Sequence, residues 1–277
     1  MTANSSFDDP PARLAALRSE WDRHAEVYDE IYRGSEDRRL EEELAFLSWA
    51  FAELAARPVE RVLDLTAGTG LQSVALAERG SRVTAADLSG EMLERCRARA
   101  ARRGVELERI VRRAAHETDE PGEYDACISC FAGFSHMLDD REVRATLAAV
   151  HRALQPGGVL VFDVINLLED ALAAPAGPIE RSGETAAGGR FRTVLENRYD
   201  TWKRTLGFSE ETTVERPGAE PATVRAGFTY RGFTREELLA LLGELPWARV
   251  CAFRGYGDRG ESDETRVYRL VFAAVKA

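Results

Sequence analysis

Residues 61–70 read RVLDLTAGTG, and a second apolar run ends on Asp87, 23 positions after Asp64. A short strand of Val62, Leu63 and Leu65 that runs into a glycine turn, then an apolar-periodic helix over residues 71–79, then another strand, is the order of a βαβ unit. This restricts the fold more than any other feature, because parallel strands need a crossover helix on one face and hence a layered α/β core. The unit also sets out a nucleoside site. Gly68 and Gly70 let backbone amides approach a ligand with no Cβ in the way, and the turn opens on a helix N-terminus with unpaired N–H donors. Asp87, at the carboxyl end of the second strand, is placed to accept two hydrogen bonds from a ribose diol.

Detail narrows the nucleoside. The dinucleotide fingerprint wants glycine or alanine three positions after Gly70, where this chain has Ser73, and no G-x-x-x-x-G-K-[ST] loop occurs. Asp64, four residues before Gly68, would repel a phosphate but balance an ammonium group. The ligand is therefore expected to be cationic at this end.

The segments RVLDLTAGTG, VTAADLSGEML, EYDACISCF and LQPGGVLVFDV resemble the successive motifs of class I S-adenosylmethionine-dependent methyltransferases, over residues 61–166. The tail, ARVCAFRGY with TRVYRLVFAAVKA, is similar to the final antiparallel hairpin of that fold. The resemblance implies S-adenosylmethionine as cofactor, with S-adenosylhomocysteine as product, held by Asp64, Thr66, Ala67, Gly68, Gly70, Asp87, Leu88 and Met92. Thr66 stands where the family has its first turn glycine, which alters the approach of the methionyl backbone. For the adenine, the family's acidic residue after the third strand is replaced by Ala114, Ala115 and His116. Recognition there is expected from a backbone amide near Ala115, with His116 or Glu117 beside it.

With 44% apolar and 30% charged residues, the chain can bury a full core, and 277 residues fit one α/β domain with an insertion. A net charge of −10 supplies no cationic excess to displace counterions, so nucleic acid is excluded as substrate. The start MTANSSFDDPP has no basic, apolar leader, and no run of about 18 apolar residues occurs, so no membrane partner is expected. Four cysteines suit a reducing cytosol, and a cytoplasmic enzyme is expected. Cys127 and Cys130 lie in one apparent strand three apart, so they face opposite ways and cannot share a metal; Cys130, at the strand end, faces the cofactor. Nothing in the chain marks the oligomeric state, and a homodimer stays open.

Periodicity and punctuation divide the chain into a disordered tail (1–11), an N-terminal helical lid (12–57), a core (58–170), an inserted antiparallel β cap (171–232) and a closing helix and hairpin (233–277). The lid reads as two helices, residues 12–31 and 40–56, joined by RGSEDRR. The core strands are expected at 61–65, 83–87, 106–112, 125–131 and 159–164, giving a doubly wound, mostly parallel seven-stranded sheet once the C-terminal hairpin is added. In the cap, RFRTVLENRYD, TLGFSEETTVE and ATVRAGFTYR read as three strands before a helix over 235–242. A helical lid with an inserted sheet resembles the small-molecule enzymes of the glycine N-methyltransferase and aminosugar N,N-dimethyltransferase kind.

Methyl transfer from a sulfonium is an in-line displacement, in which positioning is worth roughly 7–11 kcal/mol, and a base is needed only if the nucleophile arrives protonated. His136, just after the fourth strand, either contacts the nucleophile or fixes its own turn. Tyr28 and Tyr32 share one helical face and either close over the site, as in the related enzymes, or form a packed stripe. Asp163 and Asn166, at the end of the fifth strand, either orient an amine or hydroxyl or cap the following turn. Arg231 in the cap either grips a substrate carboxylate or is a solvated charge. The expected function is methyl transfer to a small-molecule acceptor, most readily an amine nitrogen, with a hydroxyl next. An NAD(P)-dependent oxidoreductase is disfavoured by Ser73 and the terminal hairpin, and a cofactor-binding protein without turnover is the remaining alternative.

Overall fold

A computed structural model describes residues 9–166, 177–185, 188–260 and 269–277, with the backbone alone for residues 32–38. One helix, α1 (Pro10–Glu53), opens the chain, and Asp9 caps it by accepting from the Ala12 amide. Strand and helix then alternate through β1 (Arg61–Asp64), α2 (Leu71–Glu78), β2 (Arg82–Asp87), α3 (Gly90–Arg103), β3 (Arg109–Arg112), β4 (Tyr124–Ser129), α4 (Asp140–Ala153) and β5 (Leu154–Ile165). The strands β6 (Ile179–Glu184), β7 (Arg190–Asp200), β8 (Thr205–Glu215) and β9 (Ala222–Arg231) follow, then α5 (Arg235–Leu242), β10 (Trp247–Phe253) and β11 (Arg269–Lys276).

Seven strands form one sheet in the order β10-β11-β5-β4-β1-β2-β3, parallel throughout except where β11 runs against β5 and β10. The two-residue alternation of each strand serves two cores. Val62, Val159, Val161 and Val271 pack on the α2–α3 side with Phe46 and Leu47 of α1, while Leu63, Leu160, Phe162 and Phe272 pack on the α4–α5 side. Strand order reverses between β1 and β4, so the connections leaving them diverge and open a crevice at the carboxyl ends of the strands. The strands β6 to β9 make a separate antiparallel sheet in sequential order, and Val214 and Val224 of that sheet pack on Val27 of α1.

Several expectations are corrected. The lid is one continuous helix: RGSEDRR contains one glycine and no proline, and a lone glycine costs only about 1 kcal/mol in a helix. That helix begins at Pro10, inside the expected tail, while residues 1–8 lie outside the described residues. Among the described residues the cap has four strands, because β6 was hidden by Gly183. There a Cβ would stand 2.8 Å from the Phe191 ring, so glycine is the residue that lets the aromatic of β7 lie across the edge strand. Strand β4 stops at Ser129, short of the expected 131, because Phe131 and Ala132 turn into the left-handed region with φ of 62° and 61°. Cys127 and Cys130 do belong to cores on opposite faces of the sheet. Among the described residues, no cluster of His, Cys, Asp or Glu could hold a metal ion, and no helix is long and apolar enough to cross a membrane.

Candidate active site

The crevice is a cleft floored by the β1–α2 turn and the end of β2, walled by the turn after β4 and roofed by α1. At its nucleoside end, Gly68 has φ +53°, and a Cβ there would meet nothing within 4 Å, so the turn presents bare backbone to the cleft. The Gly68 amide donates to one oxygen of Asp87 (2.8 Å), and the Ser89 amide donates to the other (2.8 Å). With a further hydrogen bond from the Leu88 main chain, these bonds fix the carboxylate's plane and aim it at the cleft. Burial pushes Asp87 up to about 6, against the pull of its backbone donors. Leu88, Met92, Ala115 and His116 supply the neighbouring wall, with Thr66, Ala67 and Cys130 at the other end of the turn.

Two residues of the same motif lie behind the wall. Asp64 is buried, accepts from the Ser73 hydroxyl (2.7 Å) and is pushed up to about 7 by burial. The serine that breaks the dinucleotide fingerprint is thus the partner of this carboxyl. Gly70 has φ +81°, and a Cβ on it would lie 2.4 Å from the Cys96 sulfur of α3. Its role is close packing of the turn on α3, distinct from the expected ligand approach. Gly70→Ala is expected to cost about 2–4 kcal/mol, from left-handed strain plus overpacking. Urea titration checks this, and a loss below 1 kcal/mol would contradict the clash.

The roof is anchored at several points. Asp22 accepts from the Ser89 hydroxyl (2.6 Å) and the Glu91 amide (3.3 Å), Asp29 pairs with Arg99 (2.8 Å), and Arg13 donates to the His136 carbonyl (3.1 Å) and pairs with Glu142. So held, α1 lays Leu14, Leu17, Trp21 and Tyr28 along the cleft, spaced as one helical face. Further along, Arg39 lies 4.0 Å over the Phe131 ring and 3.3 Å from Glu43, whose carboxyl takes a hydrogen bond from Gln72 (2.6 Å). Burial raises Glu43 to about 7.

At the far end, the short turn Gly133–His136 carries His136 into the wall. Its ring meets Trp21 edge-on (5.3 Å between centroids) and leans on Tyr230 (4.3 Å), with Phe228 behind. The ring hydrogen-bonds the main chain of Thr229, and Nδ1 has no partner among the described residues. Burial lowers His136 to about 3 and His24, on the roof beside Trp21, to about 4. Both stay neutral in the native state, whereas unfolded histidine titrates near 6.5. The unfolded chain therefore binds the extra protons, and native stability falls as pH drops below 6.5 toward these folded values. Each histidine is expected to cost about 2 kcal/mol between pH 7 and pH 5. In urea titrations at the two pH values, His136→Gln should lose about 2 kcal/mol less than the wild type; equal losses would mean that the ring is hydrated.

Three further expectations meet different surroundings. Arg231 is not in the cleft: its guanidinium pairs with Asp140 on α4 (2.7 Å), reaches Glu237 (3.7 Å) and lies over Phe233, joining cap to core. Asn166 is buried at the end of β5 and forms no part of the cleft wall. Asp163 is fully buried and takes the Ala132 amide on both oxygens (3.1 Å each), the Tyr256 hydroxyl (3.0 Å) and Arg269 (2.5 Å), so it does not meet a substrate. The Tyr32 side chain lies outside the described residues. Trp21, Arg39, Gln72 and Glu142, all on the wall, went unrecognised in the sequence. Only Trp21 left a signal there, at helical spacing from Tyr28.

Comparison with known proteins agrees with the geometry. Residues 62–158 match the family model of the methyltransferase domain. The glycine/sarcosine N-methyltransferase of Halorhodospira halochloris is 39% identical over 115 residues, covering 41% of this chain and 43% of that protein. The chain spans about half the length, or less, of the curated relatives it matches. A S-adenosylmethionine-dependent methyltransferase from Clostridium acetobutylicum superposes with a TM-score of 0.73 at 19% identity, covering 93% of this chain and 99% of that one. An amino pentose methyltransferase from Micromonospora echinaspora, solved with S-adenosylmethionine bound, gives 0.68 at 21% identity, covering 91% and 97%. Residues 62–158 thus match a methyltransferase domain, and the fold around them is shared with solved S-adenosylmethionine-dependent methyltransferases.

Proposed function

We propose that the chain transfers a methyl group from S-adenosylmethionine to the nitrogen of a small-molecule amine. The observation that carries this reading is one roofed cleft with a diol-ready carboxylate, Asp87, at one end and, in an aromatic wall at the other, His136, whose buried Nδ1 has no partner among the described residues. The donor set fits the cofactor. Asp87 would take the ribose hydroxyls, Leu88 and Met92 the adenine face, and Arg39 the methionyl carboxylate. The Ala114 amide is already spent on Glu117 (2.8 Å), so the adenine edge falls to Ala115 and His116.

When bound, the cofactor supplies a methyl group on a cationic sulfur, open to in-line attack by a lone pair. The chain's part is to dry, aim and hold. Leu14, Leu17 and Trp21 exclude water from above, and neutral His136 accepts an N–H of the amine and so points its lone pair along the cleft. A ring kept neutral to about pH 3 does not store a proton, so the acceptor's excess proton leaves to solvent. Arg231 is committed to Asp140, which favours an amine without a carboxylate, on a ring that stacks against the aromatic wall.

The lid (12–57), the core (58–170 with 233–277) and the cap (171–232) would then act as roof, cofactor floor and acceptor wall of a cytoplasmic enzyme. The net charge of −10 supports a small metabolite over a polyanion as acceptor. Calorimetry with S-adenosylmethionine, S-adenosylhomocysteine and NADH, followed by labelled-methyl transfer to amines and then alcohols, tests the reading. Binding of the first two and label on amines supports it; label only on alcohols moves the acceptor to oxygen; binding of NADH alone overturns it.

A further inference from the structure

Strand β4 leaves the sheet through two consecutive non-glycine residues in the left-handed region, Phe131 and Ala132. Such a pair persists only where its surroundings over-determine it. The surroundings here converge on Asp163. Its two oxygens share the Ala132 amide, Tyr256 donates to one of them and Arg269 to the other. The Arg269 guanidinium also lies 5.0 Å over the Phe131 ring, the ring that Arg39 of the roof covers at 4.0 Å. Three positions on, the Ser135 hydroxyl accepts from the Ile165 amide (2.9 Å), a second tie between this turn and β5.

The turn so fixed reaches both ends of the cleft. A Cβ on Gly133 would stand 2.5 Å from the Thr66 hydroxyl and 2.7 Å from that of Ser129, so the turn sits directly on the cofactor-side β1–α2 turn. At its other end it carries His136. We propose that Asp163 is a positioning residue: by clamping Ala132 in its left-handed conformation it sets the register between the cofactor turn at Thr66 and the acceptor wall at His136. The functional half of this inference rests on the methyltransferase reading; the structural half does not.

The test uses the full chain and two readouts, hydrogen exchange of peptides spanning residues 130–137 in the unliganded protein, and S-adenosylhomocysteine affinity by calorimetry. Asp163→Asn keeps one acceptor for the Ala132 amide but loses the charge that holds Arg269. It is expected to speed exchange in 130–137 and weaken S-adenosylhomocysteine about tenfold, with peptides from the middle of β4 and β5 still protected. Adding Ala132→Gly, which removes the left-handed penalty, should recover part of both losses. A residue that merely fills the core would show exchange rising evenly across β4 and β5 with no recovery, and that result overturns the proposal. Tyr256→Phe, which removes one clamp and no charge, covers the case in which Asp163→Asn does not fold. Faster exchange confined to 130–137 supports the proposal, and unchanged exchange overturns it. If the wild type does not bind S-adenosylhomocysteine, the methyltransferase reading fails while the exchange data still decide the role of Asp163.

Discussion

Asp87→Ala is expected to weaken S-adenosylhomocysteine binding by a factor of about 10²–10⁴, from the loss of two charge-assisted hydrogen bonds worth about 1.5–3 kcal/mol each. The wild-type carboxylate is aimed by the Gly68 and Ser89 amides before any ligand arrives, so little ordering is left to be done on binding. Burial also makes it pH-sensitive. Raised to about 6, Asp87 takes up a proton as pH falls through that value, and the protonated acid keeps only part of its acceptor capacity. Affinity should therefore decline as pH is lowered from 7.5 to 5.5 in the wild type and stay flat in Asp87→Ala. Because the ligand favours the ionised form, binding at pH 6 should also release a proton, detectable as a buffer-dependent heat in calorimetry. Equal affinity of variant and wild type at pH 7.5 would remove Asp87 from the site.

The pairing of the Gly68 turn with Asp87 was legible in the sequence because it is local. The turn and the acidic strand end are close in sequence, and parallel pairing of β1 with β2, Asp64 opposite Ala85, brings Asp87 to Gly68 with no contribution from distant residues. Asp64 shows where the same reasoning stopped short. Strand alternation puts it on the face of Val62, under α2, where Ser73 one helix away binds it; parity carried that information, and proximity to the glycines hid it. Gly70 and Cys96 are 26 positions apart, and no local pattern records their contact. Arg39 was passed over because it closes the charged stretch RGSEDRR, read as a linker, which the structure folds as helix. For Arg231 the deciding partner is Asp140 on α4, about 90 residues earlier, and nothing in TYRGFT announces it.

These differences share a cause. Residues whose role is set by backbone geometry at a strand end keep that role once the strand order is known. Long polar side chains reach across elements, and their roles depend on which opposite charge the packing delivers. Asp163 combines both cases: its position at the end of β5 was visible, but its partners come from the β4 turn, from Tyr256 and from β11.

His136→Ala is expected to lower turnover about 10²-fold while leaving S-adenosylhomocysteine affinity unchanged, because the ring belongs to the acceptor end and touches none of the nucleoside groups. What is lost is aim. If the acceptor is an amine held as proposed, loss of the ring leaves it no fixed hydrogen-bond partner between Trp21 and Tyr230, and the near-attack geometry becomes one of many. His136→Gln, which returns a neutral acceptor on a longer stem, should recover part of the rate. The pH profile separates orientation from proton transfer. With His136 held near 3, no rate limb near pH 6.5 arises from this ring, and kcat/KM should rise with pH only as the amine itself loses its proton. The variants should lower the whole profile without moving its midpoint. A midpoint near 6.5 that disappears in His136→Gln would show the ring titrating during turnover, and His136 would then be a general base.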